Sequence, residues 1–179
     1  MLPAQIPVLT HPLVTLRPFE NRDADLVLEA GTDVLIPLIT TVPTTGEHDD
    51  ALAYITRQND RLRRGLGYSF AIADSATDGA VGQIGLWTSE IRSGRTTIGY
   101  WIAERHRRQG YAAAALRTLT DWALTHDGMH RVQLHIEPHN TASRGVALAC
   151  GFEREGLLRA WQDIGGERRD LEVYSVVRY

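Results

Sequence analysis

The sequence predicts an α+β protein with a central mixed sheet of about seven strands, mostly antiparallel, flanked by about four helices. Short alternating apolar runs joined by Asp-Gly and Ser-Gly turns are typical of antiparallel strands. A longer run with apolar residues every three or four positions predicts an amphipathic helix. Because that helix lies between two strand-like runs, we expect a parallel βαβ unit at the centre.

The first half of the chain predicts one strand, two helices and a three-stranded meander. The elements are a strand over 13–18, a helix from about 23 to 31, a helix from 44 to 65, and strands over 68–73, 80–88 and 95–103. Thr44 and Glu47 have the spacing of a capping box, which would start the second helix. Gly31 and Gly65 are the expected helix ends.

The second half predicts the βαβ unit and a final pair of strands. Its elements are a helix over 111–125, a strand over 131–136, a helix from Asn140 to Cys150, and strands over 152–161 and 171–177 around Gly165-Gly166. The chain has no internal repeat and no linker-like segment. Residues 1–179 are therefore expected to form a single domain.

The composition excludes several classes of function. The net charge is −3, whereas a non-specific nucleic-acid-binding protein is usually basic. All 19 basic residues are arginines, so lysine Schiff-base chemistry and a P-loop lysine are excluded. Cys150 is the single cysteine, which excludes an intrachain disulfide and favours a cytoplasmic protein. We expect no signal peptide, and no apolar run approaches the roughly 18 residues of a membrane span.

A basic turn lies between the strand over 95–103 and the long helix. It is formed by Arg107, Arg108, Gln109, Gly110, Tyr111 and Ala112. A strand that ends in such a turn presents free backbone N–H groups at the positive end of a helix dipole, a geometry that binds phosphates. The alternative for these six residues alone is a solvated basic helix start.

The spacing Arg107-x-x-Gly110-x-Ala112 resembles the Arg/Gln-x-x-Gly-x-Gly/Ala signature of the GCN5-related N-acetyltransferases (the GNAT superfamily). Residues 13–19, 140–144 and 151–159 resemble the Rim-type branch, which acetylates the N-termini of ribosomal proteins. The resemblance covers nearly the whole chain in the expected order of elements.

The resemblance implies that acetyl-CoA is the cosubstrate and that its pyrophosphate binds at the basic turn. It implies that backbone N–H groups of the preceding strand, including those of Trp101, Ile102 and Ala103, face the thioester. Pantetheine would lie in a gap between that strand and residues 132–136. The Asn140 amide would bond pantetheine, cap its own helix, or do both, and Ser143 would protonate the departing thiolate or simply bond backbone.

The residue that takes the proton from the amine is less defined. Glu90, after the strand over 80–88, is the first candidate, and Glu167 and Asp170 follow. A solvated strand end is the alternative for Glu90. The Rim-type pattern has a glutamate where this chain has Gln162, so that base is not carried over.

The expected acceptor is the α-amine of a protein N-terminus, attacked directly in a ternary complex. A small-molecule amine and a non-catalytic acyl-CoA sensor are the alternatives. We expect no metal, because the four histidines between His126 and His139 fit no zinc spacing. We also expect no direct nucleic-acid or membrane partner, and a homodimer is compatible with the resemblance.

Overall fold

Eight strands form one sheet in the computed structural model, which describes residues 2–178. The strands are β1 (Leu9–Thr10), β2 (Val14–Arg17), β3 (Gly67–Asp74), β4 (Ala80–Trp87), β5 (Arg95–Ile102), β6 (Arg131–Ile136), β7 (Glu153–Ile164) and β8 (Glu167–Val177). Their spatial order is β1-β2-β3-β4-β5-β6-β8-β7. All neighbours are antiparallel except β5 and β6, which are parallel. The predicted mixed sheet is confirmed, with one extra strand because the two-residue β1 is too short to show alternation.

Helices cover both faces of this sheet. In the described part of the chain they are α1 (Ala24–Gly31), α2 (Ile36–Ile39), α3 (His48–Asn59), α4 (Tyr111–Leu124) and α5 (Thr141–Ala149). One apolar cluster joins α4 and α5 to Ile98, Ile102 and Val132 of the sheet. A second cluster joins α1 and α3 to Trp101 on the opposite face. None of the helices between residues 2 and 178 has the length and apolar character needed to cross a membrane.

The position of α4 is fixed by its buried stripe. Ala115, Leu116, Leu119 and Ala123 are fully buried at steps of one to four residues along the helix. Truncating a leucine in such a site to alanine costs about 2–5 kcal/mol. This packing also fixes the turn at the N-terminus of α4.

The predicted start and end of α3 were wrong. Gly46 has φ +75°, and this left-handed residue between Thr44 and Glu47 interrupts the predicted capping box. Glu47 is instead the extended residue before the helix, and the Thr45 hydroxyl accepts its N–H. The helix ends at Asn59, whose side chain exchanges two hydrogen bonds with the backbone of Phe19.

The final two strands are longer than predicted. Gly165 and Gly166 have φ +63° and +84°, as a two-residue type I′ hairpin turn requires, so β7 and β8 extend up to the turn itself. Both faces of this end are largely exposed. The sequence there therefore lacks the apolar alternation from which a strand is predicted.

The sheet opens between its two parallel strands. β5 and β6 pair only from Arg95↔Arg131 to Thr97↔Gln133. Beyond this point β5 stays paired with β4, and β6 stays paired with β8. The predicted gap between the strands is thus confirmed, and its closed end is the Thr97–Gln133 pair.

Candidate active site

The turn before α4 is a concavity lined by backbone N–H groups. Six consecutive N–H groups, those of residues 108–113, have no acceptor between residues 2 and 178. Arg108 and Gly110 have φ +61° and +87°, which turns successive N–H groups toward one side. A Cβ on Gly110 would be in a strained conformation and lie 3.4 Å from Leu13. These donors at a helix N-terminus fit a phosphate group.

The Arg107 side chain is held by two neighbouring groups of the protein. Its Nε donates to the Ile102 carbonyl at 3.0 Å, and its terminal nitrogen donates to the Asp33 carboxylate. Asp33 also accepts the N–H groups of Leu35 and Ile36. Burial acts in the opposite direction, but these donors together lower the pKa of Asp33. Arg107 therefore braces the loop between α1 and α2, and its charge is already compensated by Asp33.

The strand β5 directs only alternate N–H groups into the gap. The Ala103 N–H donates to the Val81 carbonyl at 3.0 Å, so it is not available as predicted. In an antiparallel pair, residues two apart point the same way, so the Trp101 N–H also faces β4. The N–H groups of Ile102 and Tyr100 face the gap instead. Of the three residues predicted to supply donors, only Ile102 directs its N–H into the gap, and Tyr100 directs a second one there.

The Trp101 side chain belongs to a buried polar network on the face of α3. Its indole N–H donates to Gln83 at 2.7 Å, and Gln83 in turn donates to Gln58 and Ser69. The Tyr54 hydroxyl also donates to Gln83. All of these polar groups are buried and satisfied, which fixes β4 and β5 against α3.

The start of α5 lies on the α4 side of the sheet. The Asn140 Oδ1 accepts the Ser143 N–H at 3.0 Å, so the predicted cap is confirmed, and the amide NH₂ is not used by the cap. Arg144 anchors this turn through Tyr174 at 3.2 Å and the buried carboxylate of Glu172 at 3.1 Å. Ser143 is thereby held in the first turn of a fixed helix.

The hydroxyl of Tyr100 is an orphaned polar group beside this turn. It is buried and has no hydrogen-bond partner within residues 2–178. Burial raises the pKa of Tyr100 to about 12, and the nearby Ser143 side chain opposes part of that rise. An unpaired buried hydroxyl costs about 1–3 kcal/mol. It is therefore placed to bond a ligand that enters the gap.

Glu90 lies at the closed end of the gap. Its Oε1 accepts from Arg95 at 2.7 Å, and its Oε2 accepts from Gln133 at 3.3 Å. Gln133 also donates to Thr97, its partner in the last parallel pair. The structure therefore brings Glu90 to the face opposite α4 and α5, half-exposed and already paired with a cation.

Two tryptophans line the same face. Trp87 carries the Arg61 guanidinium 4.5 Å above its ring, and a Cβ at Gly99 would lie 3.1 Å from two of its ring atoms. Trp161 of β7 meets the His135 ring edge-on, with centroids 6.0 Å apart. Both tryptophans are at least one-third exposed, and together with Glu90 and His135 they line a cleft on this face of the sheet.

The other predicted carboxylates lie on the hairpin of β7 and β8. Glu167 pairs with Arg169, and Asp170 accepts the Ala160 N–H at 2.7 Å. Gln162 lies opposite Arg169 in the register of the hairpin. None of these three side chains hydrogen-bonds to a residue of β5 or β6 within the described chain.

Glu155 of β7 is a further carboxylate, and Arg131 and Ser175 hold it in its ionised form. The Arg131 guanidinium binds both of its oxygens, and the Ser175 hydroxyl donates at 2.7 Å. Arg131 and then Ser175 lower the pKa of Glu155 to about 2. Such a carboxylate is a very weak base and acts here as a structural partner.

Across residues 2–178, no group of three or more histidines, cysteines or carboxylates is arranged to hold a metal ion. The histidines between 126 and 139 point to different surroundings. His126 lies 2.8 Å from the Trp122 carbonyl, and His135 lies against Trp161.

Sequence reasoning did not select Tyr100 or His135 as site residues. Alternation with Ile98 and Ile102 places Tyr100 on the core side, where an aromatic residue is expected for packing alone. Alternation with Gln133 places His135 on the cleft side. This alternation can be read from the sequence. Its meaning for the site depends on how β6 pairs with the distant strand β5, and the sequence does not show that register.

Comparison with known proteins agrees with this geometry. Residues 14–153 match the model of the acetyltransferase (GNAT) domain family. The chain is 28% identical over 165 residues to "Uncharacterized N-acetyltransferase p20" of Bacillus licheniformis, covering 92% of this chain and 93% of that protein. It is 27% identical over 120 residues to the ribosomal-protein-serine acetyltransferase of Escherichia coli, covering 67% of each.

A solved structure shows the same fold. Mycobacterium smegmatis RimJ, in complex with CoA-disulfide, matches with a TM-score of 0.77 and 25% identity, covering 96% of this chain and 86% of that one. The family match spans well over half of the sequence. The chain therefore belongs to the GNAT family of acetyltransferases.

Proposed function

We propose that this protein transfers the acetyl group of acetyl-CoA to the α-amine of a protein N-terminus, by direct attack in a ternary complex. One observation carries the proposal. The gap between β5 and β6 leads from the free N–H groups of residues 108–113 to an open face lined by tryptophans. This arrangement suits a phosphate-bearing thioester on one side and an amine on the other.

Acetyl-CoA would be held by groups on the α4 side of the sheet. The N–H groups of residues 108–113 receive the pyrophosphate. The Tyr100 hydroxyl and the Asn140 NH₂ supply hydrogen bonds along the gap. Acetyl-CoA supplies an acetyl group activated as a thioester.

The chemistry needs a donor for negative charge on the carbonyl oxygen, a positioned amine and a route for protons. The Ile102 and Tyr100 N–H groups supply the donor. Ser143 protonates the sulfur, assisted by the positive end of α5. Glu90 is the carboxylate of the acceptor face, where it forms an ion pair with Arg95.

An α-amine suits this site better than a lysine side chain does. Its reference pKa is about 8, whereas that of a lysine ammonium is about 10.4, so much less help is needed to remove the proton. Relatives that act on ribosomal proteins support a peptide acceptor. The half-exposed tryptophans of the cleft also suit a peptide chain.

An acceptor panel tests this function. Purified protein with acetyl-CoA is incubated with N-terminal peptides of ribosomal proteins, with the same peptides Nα-blocked but carrying a free lysine, and with polyamines and amino acids. Release of CoA thiol and the mass of each product are measured. We expect acetylation of free peptide N-termini only. Turnover confined to small amines, or acetyl-CoA binding without turnover, would contradict the proposal.

We also propose a cytoplasmic location, supported by the single, unpaired cysteine. The homodimer stays a prediction, which sedimentation velocity would check.

A further inference from the structure

His135 lies on the acceptor side of the gap. It follows Gln133 by two residues on β6, so its side chain shares the face of Gln133 and Glu90. Val132, Leu134 and Ile136 point the other way, into the apolar cluster beneath α4. The last parallel pair is Thr97↔Gln133, so His135 stands just beyond the closed end, where the strands have separated.

The His135 imidazole packs against its neighbours without hydrogen-bonding to them. Its strand position pairs with Val173 of β8, and Trp161 of β7 packs edge-on against the ring. Neither ring nitrogen hydrogen-bonds to a group between residues 2 and 178, in contrast to His126, whose Nδ1 meets a carbonyl. A nitrogen of His135 is therefore available to a ligand in the cleft.

The charges facing His135 are Glu90, from the connection between β4 and β5, and Arg131 on its own strand. Burial is the largest influence and lowers the pKa of His135, Glu90 acts to raise it, and Arg131 acts to lower it. The net shift is downward, so the ring is neutral at pH 7. A neutral imidazole can accept a proton, and the Glu90 carboxylate stabilises the imidazolium that results.

Glu90 alone is a poorer proton acceptor. Both of its carboxylate oxygens are already engaged, one by Arg95 and the other by Gln133. The reference pKa of histidine, about 6.5, is also closer than that of glutamate, about 4.3, to that of an α-amine. Proton transfer is most efficient when the pKa of the base lies near the working pH.

We propose that His135 is the residue that takes the proton from the acceptor α-ammonium, with Glu90 stabilising the charged ring. This rests on the proposed function. The ammonium gives one proton to a ring nitrogen, which passes it to solvent. A bond then forms between the amine nitrogen and the acetyl carbon, and the bond from that carbon to sulfur breaks. The nitrogen gives its second proton to solvent, Ser143 gives one to the sulfur and is reprotonated from solvent, and one proton is released overall.

The first test is an NMR titration of the histidine rings in the whole protein and in Glu90→Gln. We expect His135 to titrate below pH 6.5 in the unaltered protein, and lower still once the Glu90 charge is removed. A His135 ring that remains protonated above pH 7 would overturn the proposal, because it could not accept a proton.

The second test measures kcat against pH at saturating acceptor, so that ionisation of the free amine does not contribute. His135→Gln should lower kcat about 10²-fold or more and remove the acidic limb, since general-base catalysis typically contributes 10²–10⁴-fold. Acetyl-CoA affinity should be unchanged, and added imidazole should restore part of the rate. His139→Gln is the control, because that side chain is largely exposed and belongs to the loop after β6.

If His135→Gln unfolds, His135→Asn is used in its place. Either variant counts as folded when its melting temperature equals that of the unaltered protein. An acidic limb that persists in a folded variant would overturn the role of His135 while leaving the acetyltransferase function intact. No turnover by the unaltered protein with any amine would overturn both.

Discussion

Individual side chains divide the site into two faces. Tyr100 and Ser143 lie on the side of α4 and α5, whereas Glu90, Trp87 and His135 lie on the other. The alternation of β5 and β6 produces this division, because successive side chains of a strand point to opposite faces. Donor and acceptor of the acetyl group can therefore meet through the gap without sharing a pocket.

Ser143→Ala tests the proposed proton donor. We expect kcat to fall about tenfold or more while the affinity for acetyl-CoA stays the same, because the hydroxyl acts on the departing sulfur. Steady-state kinetics and calorimetry separate the two quantities. Thr141→Ala, an exposed change in the same helical turn, is the control. An unchanged kcat in Ser143→Ala would remove this residue from the mechanism.

Tyr100→Phe separates ligand binding from stability. The hydroxyl has no partner in the free protein, so its removal should leave the melting temperature unchanged or raise it. The affinity for acetyl-CoA should fall several-fold, since one hydrogen bond contributes about 0.5–1.5 kcal/mol. Tyr54→Phe should instead lower stability, because it removes a buried bond to Gln83. A loss of stability in Tyr100→Phe with unchanged affinity would contradict this assignment.

The elements that build the site are those with the strongest local sequence signals. β6 begins and ends where predicted, and α4 ends one residue earlier, because each carries a regular apolar period. The contact between Arg107 and Asp33 could not be predicted from such a local pattern. Its partner Asp33 lies 74 residues earlier in the chain, and only the folded sheet brings the two together.

Gly110→Asp tests the helix N-terminus as a phosphate site. Gly110→Asn is the matched control, since both residues carry a similar cost at positive φ, about 1–2 kcal/mol, but only aspartate adds a negative charge. We expect Asp to abolish acetyl-CoA binding and Asn to retain much more of it, with similar melting temperatures. Equal affinity in the two variants would argue against phosphate binding at this turn.

The ion pair between Glu155 and Arg131 fixes the hairpin of β7 and β8 to β6, and acid should break it. The lowered pKa of Glu155 means that its contribution to stability is present above about pH 4.5 and is lost as the pH falls toward 2. Glu155→Gln should therefore lower the melting temperature at pH 7, and the difference should shrink between pH 4.5 and 2.5. Glu153→Gln, an exposed change on the same strand, should show no such dependence. A pH-independent difference would show that Arg131 does not hold this carboxylate in its charged form.

At the scale of the whole molecule, the separation of β5 from β6 determines where the proposed site lies. The parallel pairing of β5 and β6 stops after three residue pairs, and Tyr100, Ile102 and His135 lie beyond the last of them. The sequence predicts the crossover and the turn, whereas the direction of each N–H group depends on pairing with β4 and could not be obtained from residue types. The N–H groups that face the opening are therefore those of Tyr100 and Ile102, and not those of Trp101 and Ala103.

The most direct measurement is an amide NMR titration of the whole protein with CoA. The account predicts that the largest shifts fall on the N–H groups of residues 108–113, followed by those of Tyr100 and Ile102 at the opening. Binding that leaves residues 108–113 unshifted, or no binding at millimolar CoA, would contradict the account.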